Sequence, residues 1–319
     1  MSTATDLHIV TGKGGTGKTT VAAALAMTLA GHGRRVLLCE VEGRQGIAQL
    51  FDVPPLPYAE TRIAVGPDGG EVFALAIDPE SALLEYLQMF YRLGRAGKAL
   101  DRFGIIDFAT TIAPGVRDVL LTGKVYEAAR RIEGGRFAYD AVVMDAPPTG
   151  RITRFLNVNS ELAGLAKVGA IRRQAESIMT MMRAPSTRVH LVTVLEEMPV
   201  TETMDGIAEL TSAKLPVGHV VVNLIRPELI GADTRAALES GTLSATAVGK
   251  ALASVGLPAE AAESLIDGGR DAVRRSDLEA EQRQVLADSG QSVIELPRLA
   301  DGIDLGALYE LAGRLEELR

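Results

Sequence analysis

Two kinds of hydrophobic pattern alternate along the chain. Short, nearly unbroken apolar runs occur at 7–10, 35–41, 72–77, 139–144, 189–195, 217–224 and 293–296. Runs of that length without polar alternation predict strands covered on both faces. Between them, apolar residues recur every three or four positions at 21–29, at 201–214, across 231–290 and at 305–318. That spacing predicts helices with one buried stripe. Strands alternating with helices predict an α/β protein built on a doubly wound, mostly parallel sheet. Residues 52–70 hold Pro54, Pro55, Pro57, Pro67 and three glycines and read as a loop, as do Gly256-Leu257-Pro258 and Gly268-Gly269.

Two stretches depart from simple alternation. From Asp78-Pro79-Glu80-Ser81, a helix start with Pro and acid in the first turn, the pattern stays helical to about Gly134, broken near Gly94, Gly104 and Pro114. A second helical stretch covers 155–186. Together, 79–134 and 155–186 read as a helical subdomain inserted into a single domain spanning 1–319. Eight of the thirteen Phe and Tyr residues lie between Tyr86 and Tyr139, so the aromatics concentrate in the first stretch. In 82–93 the apolar residues run nearly all the way round the helix, which suits either extra core or a surface that meets a partner. The Ile178-Met179 and Met181-Met182 pairs read the same two ways, as gap-filling core or as an adaptable face.

Charge and cysteine content narrow the function classes. A formal net charge of −8 argues against a general nucleic-acid or anionic-membrane binder. No apolar run is long enough to span a membrane, and residues 1–6 carry neither the basic nor the apolar region of a secretory leader. Cytoplasmic localisation is the expectation. One cysteine, Cys39, reads as a small core residue, and excludes a disulfide or a cysteine-rich metal site within the chain. His8, His32, His190 and His219 show no ligand spacing and read as structural.

The chemistry concentrates in Gly12-Lys13-Gly14-Gly15-Thr16-Gly17-Lys18-Thr19-Thr20, between the first strand and the first helix. This is G-x-x-x-x-G-K-[ST], the phosphate-binding P-loop. Its glycines let consecutive backbone N–H groups point into one cavity, and the helix adds the positive end of its dipole. Only seven of the 33 basic residues are lysines, yet two of them fall in this loop. The pattern predicts ATP or ADP as ligand, Lys18 on the β- and γ-phosphates, and Thr19 on Mg²⁺. Asp145, at the carboxyl end of the fourth apolar run, is the expected acidic partner of that Mg²⁺.

These residues also resemble a known family. Lys13 makes the loop similar to the deviant Walker A motif, and Asp145-Ala146-Pro147-Pro148-Thr149-Gly150 resembles the switch motif of the arsenical-pump-driving ATPases. That family includes the ATPase that guides tail-anchored membrane proteins. Asn223 matches its adenine-recognition asparagine, and Pro297, within Glu295–Leu299, its C-terminal adenine loop. The chain looks most like the actinobacterial guided-entry-like ATPases that occur as a paralogous pair. The resemblance implies a P-loop NTPase fold and an ATPase acting as a homodimer, or as a heterodimer with a paralogous ATPase, that handles a hydrophobic protein client. It implies that Lys13 reaches the phosphates of its own or the partner's nucleotide. Glu42 stands where the family has its switch I aspartate, an exchange that lengthens the side chain by a methylene and so predicts slow turnover. A regulatory, hydrolysis-weak subunit paired with an active paralogue is the alternative. Arg151 stands where the family has a switch II histidine, where it would pair with a phosphate or with Glu42. The cysteine pairs of the family's metal-binding members have no counterpart.

Overall fold

The computed structural model describes residues 5–91, 115–165 and 170–318. The seven apolar runs all form strands: β1 (Asp6–Gly12), β2 (Arg35–Glu40), β4 (Glu71–Ala76), β7 (Ala141–Asp145), β8 (Thr187–Thr193), β9 (Val217–Ile225) and β10 (Val293–Pro297). They join one eight-stranded sheet in the order β10-β9-β8-β1-β7-β2-β4-β3. Every neighbouring pair is parallel except β3 (Thr61–Val65), which runs antiparallel to β4 at the edge.

β1 sits inside this sheet, its Leu7 in register with Val142 on one side and Thr187 on the other. Alternation splits the core between the two faces. On one face, α1 (Lys18–Leu29) packs over Val10, Val36 and Val143 and is itself roofed by Leu308 and Leu311 of α11 (Leu305–Arg314). Val21 to Leu29 is fully buried because this helix lies between two layers, which is why its sequence is apolar all round. On the other face, Leu7, Ile9, Leu37, Val142 and Met144 meet α4 (Val116–Arg130), α5 (Thr149–Leu165), α6 (Ala170–Met182) and α7 (Glu197–Ser212). Ile178, Met179 and Met182 are buried, so the methionines of α6 serve as core. Of the all-round apolar 82–93 stretch, Ala82 is buried and Leu83 packs on the same core; the side chains beyond Glu85 lie outside the described residues. α3 (Pro79–Tyr91) is tied to α4 through Glu85, which accepts from Lys124 at 2.8 Å and from Tyr58 at 2.7 Å.

Three sequence expectations need correction. The 52–70 segment is not loop throughout: Thr61–Val65 forms β3, because Arg62 and Val65 pair with Phe73 and Glu71 once the prolines have turned the chain back. The helix read as running to Gly134 stops at Arg130, and Gly134 and Gly135, both at positive φ, turn a short hairpin between β5 (Ile132–Glu133) and β6 (Arg136–Phe137). Gly268-Gly269 is not a loop. It lies inside α10 (Ala262–Asp288), where a Cβ on Gly269 would come within 3.1 Å of Leu238 on α8 (Ala232–Glu239). Glycine there serves helix packing rather than chain reversal.

Strand register also assembles three of the four histidines. His8 Nδ1 and His190 Nε2 are 3.1 Å apart, and His190 Nδ1 lies 3.2 Å from the backbone nitrogen of His219. A backbone N–H only donates, so His190 Nδ1 accepts, and its Nε2–H donates to His8. This fixes both rings as neutral. Burial pushes the His8 pKa down to about 3, with Arg188, Arg34 and His219 adding in the same direction. His190 is likewise held well below its ordinary value by burial and then by His8. A base whose folded pKa is depressed loses stability as pH falls below its unfolded value near 6.5 and stops contributing below its folded one. Thermal or urea unfolding should therefore show stability falling from about pH 6.5 toward pH 3, with His8 alone supplying up to ~1.4 kcal/mol per pH unit. His8→Gln, whose amide oxygen keeps the acceptor, should flatten that slope.

Candidate phosphate-binding site

The loop between β1 and α1 is shaped by what its glycines lack. A Cβ on Gly12 would lie 2.2 Å from the carbonyl oxygen of Val192, so only glycine lets β1 run beside β8 to its last residue. Gly15 and Gly17 have φ of 88° and 86°, and a Cβ on Gly17 would meet the Asn223 side-chain nitrogen at 2.3 Å. Around Gly14 and Gly15 a Cβ would meet nothing, so the loop faces open space there. Thr16 Oγ1 donates to the Lys13 carbonyl at 2.9 Å, and Asn223 Nδ2 donates to the Thr16 carbonyl at 2.9 Å. α1 then begins at Lys18 with no side-chain cap and no acid in its first turn, so its leading N–H groups and dipole suit an anion.

Beside the loop stands a set of charges largely stripped of water. Lys18 and Asp145 are each 8% exposed and Glu40 is 2% exposed. Thr19 Oγ1 donates to Asp145 Oδ2 at 2.7 Å. Burial pushes the Asp145 pKa up to about 6; Glu40 and Glu42 raise it further, while the Thr19 hydrogen bond and Lys18 oppose them. A carboxylate in that position is poised to gain from a cation. Among the described residues, no cluster of three or more His, Cys, Asp or Glu could hold a metal by itself. Thr19 and Asp145 present hydroxyl and carboxylate oxygens side by side, a donor set that suits a hard cation taking its remaining ligands from phosphate and water oxygens, as Mg²⁺ does.

The other sequence candidates fall around this centre. Thr20 lies in the first turn of α1, two residues after Lys18. Glu42 is half-buried and lies 3.8 Å from Arg44, and a Cβ on nearby Gly46 would touch Thr19 Cγ2 at 3.2 Å. The segment carrying Glu42 thus packs against the phosphate loop. Lys13 Nζ contacts Glu202 on α7 at 2.8 Å, so in this state it is held within its own chain. Asn223 and Pro297 come to the same sheet edge from β9 and β10, Pro297 pairing with Ile225. Arg151, in the first turn of α5, is exposed and faces Asp118 at 3.9 Å rather than Glu42. Two acidic residues were missed by sequence reasoning. Glu40 offered a signal, a carboxylate ending an otherwise apolar strand. Glu202 offered none, because its meeting with Lys13 depends on how α7 lies over the loop.

The anion-transporting ATPase family model matches residues 5–187. ATPase BagA of Mycobacterium tuberculosis is 51% identical over 314 residues, covering 98% of this chain and 92% of that protein. An arsenical pump-driving ATPase of Acidiphilium multivorum is 27% identical over 239 residues, covering 68% of this chain and 39% of that protein. The ATPase get3 of Pyrenophora tritici-repentis is 28% identical over 184 residues, covering 56% of this chain and 51% of that protein.

The loop geometry makes Gly17 and Asn223 a coupled pair. Gly17→Ala should destabilise the fold by about 1–3 kcal/mol, through its left-handed backbone and the clash with the Asn223 amide. Adding Asn223→Ala removes the clash, so urea unfolding should give a double-variant cost below the sum of the two single costs.

Proposed function

Because the chain belongs to the anion-transporting ATPase family, we propose that it is a Mg²⁺-dependent ATPase that holds ATP and ADP on Gly12–Thr20 and acts in the cytoplasm as a dimer. The observation that carries this reading is the buried Lys18 beside the Thr19–Asp145 pair, under a loop whose open side is lined by glycine. Among the described residues no helix is long and apolar enough to cross a membrane.

Each residue has a role in this reading. The backbone N–H groups of Gly14 to Thr19 bind phosphate oxygens, and Lys18 neutralises charge on them. Thr19 and Asp145 hold the metal side. When bound, Mg²⁺ supplies charge neutralisation on the phosphate oxygens and polarises the transferred phosphoryl group. Glu42 orients the attacking water. Asn223 and Pro297 border the adenine. Lys13 leaves Glu202 to meet a phosphate when two protomers close, a movement that links nucleotide state to dimer geometry. The described helices α3, α4, α5 and α6 belong to the part of the chain that meets a hydrophobic protein client. The relatives' names, an arsenical pump-driving ATPase among them, support ATP hydrolysis as the shared activity.

Glu42 in place of aspartate favours one second reading, a hydrolysis-weak subunit that works beside an active paralogue. Phosphate release by the protein alone, compared with the protein mixed with such a paralogue, separates the two. Turnover by the protein alone at the rate of the mixture overturns the second.

For the first reading, Lys18→Ala should abolish turnover and ATP binding. Glu42→Ala and Lys13→Ala should each lower kcat about 10²-fold while leaving ADP binding within a few-fold. Chelation of Mg²⁺ should stop phosphate release. Full turnover by Lys18→Ala would overturn the assignment.

A further inference from the structure

Glu40 is a buried acidic side chain at this edge that neither the motifs nor the roles above account for. It ends β2, in register with Asp145 of β7, and is 2% exposed. A carboxylate buried that deeply is costly unless its oxygens are satisfied. Both are. Oε1 accepts from the backbone N–H of Gln45 at 2.5 Å, and Oε2 accepts from the backbone N–H of Ile47 at 3.2 Å. Each oxygen thus grips a different donor on the segment that follows Glu42.

That segment needs an outside anchor. Gly43 and Gln45 take left-handed backbone conformations, φ 68° and 56°, and the short helix α2 (Gly46–Leu50) has no side-chain cap from its own N-cap residue, Gln45. A non-glycine residue in that region carries a conformational cost that its surroundings must offset. Gln45 is fixed a second time through its side chain, which donates to the Leu56 carbonyl at 3.2 Å and accepts from the Leu56 N–H at 2.7 Å. Between the two anchored residues, Gly46 packs on Thr19. Only Glu42, Gly43 and Arg44 stand between the end of β2 and this clamp, apart from Val41, which is buried in the core. Where Glu42 can point is therefore set by what holds Gln45 and Ile47.

We infer that Glu40 is a positioning residue: its buried carboxylate clamps the backbone of Gln45 and Ile47 and thereby fixes Glu42 beside the Thr19–Asp145 pair. Its kinetic consequence rests on the ATPase reading given above; the clamp itself does not. Glu40→Gln keeps the volume but replaces one acceptor oxygen with an amide that cannot accept from an N–H. Glu40→Asp keeps charge and both acceptors but withdraws them by one carbon–carbon bond.

The test uses the full chain, with amide hydrogen exchange and steady-state ATP turnover measured on the same preparations. In Glu40→Gln, exchange at Gln45 and Ile47 should quicken at least about tenfold while 21–29 in α1 stays as protected as before. kcat should fall about tenfold or more, with KM for ATP and affinity for a fluorescent ADP analogue within about twofold. Glu40→Asp should give the same split more weakly, and serves as the test variant if Glu40→Gln does not fold. Unchanged exchange at Gln45 and Ile47 overturns the inference. So does a parallel fall in kcat and ADP affinity with protection lost throughout the chain, which would make Glu40 a general structural residue. If the unaltered protein turns over no ATP, alone or with a paralogue, the ATPase reading fails, and the exchange result alone decides the clamp.

Discussion

The parallel pairing of β1 between β7 and β8 is the constraint on which the rest of the molecule depends. It puts the carboxyl ends of five neighbouring strands, β2, β7, β1, β8 and β9, along one edge. From those ends come Glu40, Asp145, the phosphate loop and Asn223, residues far apart in the chain yet neighbours in space. Gly12 is where this pairing is most demanding. Its missing side chain lets the strand stay beside Val192 until the loop turns out of the sheet. α1 is held against the sheet as firmly, with its apolar length covered by α11 and with Thr28 Oγ1 bonded to the Ala312 carbonyl at 2.8 Å. The loop is thus a short link between two rigid elements, which suits backbone N–H groups that must keep one geometry.

At that edge, charges are buried before any ligand is considered. Lys18, Asp145 and Glu40 lie out of water, and burial raises the Asp145 pKa. Glu40 escapes part of the cost of burial through two backbone donors; Asp145 has one neutral hydroxyl. The difference assigns different work to two adjacent carboxylates. One is already satisfied and holds the chain, whereas the other retains capacity for a cation. Lys13 shows a third arrangement, a half-exposed pair with Glu202, of a kind that contributes only about 0–1 kcal/mol.

What the sequence made legible follows from the range of the interactions involved. β1, the glycine loop and α1 are set by adjacent residues, so their pattern carries their structure. The strands could be read because burial on both faces leaves each an apolar block. β3 could not, since its pairing with β4 lies outside the proline-rich segment that masks it. Gly268-Gly269 misled because a glycine pair has the same local meaning in a turn as in a close helix contact, and only Leu238 across the gap tells them apart. His8 and His190 looked unrelated at a separation of 182 residues, until strand register placed their rings together. Glu42 was singled out through its place in a motif; the hydrogen bonds from Glu40 to its loop needed the fold.

Cys39, the chain's one cysteine, has a practical consequence. It is sealed in the sheet, with burial pushing its thiol pKa far above the ordinary value, so it stays unreactive at neutral pH. The folded protein should therefore take up no thiol reagent at neutral pH. A single cysteine introduced on an exposed helix would carry a dye or spin label at one defined position, with the native thiol left in place. Distances between two such labels could then follow the molecule through nucleotide binding and release without first disturbing its core.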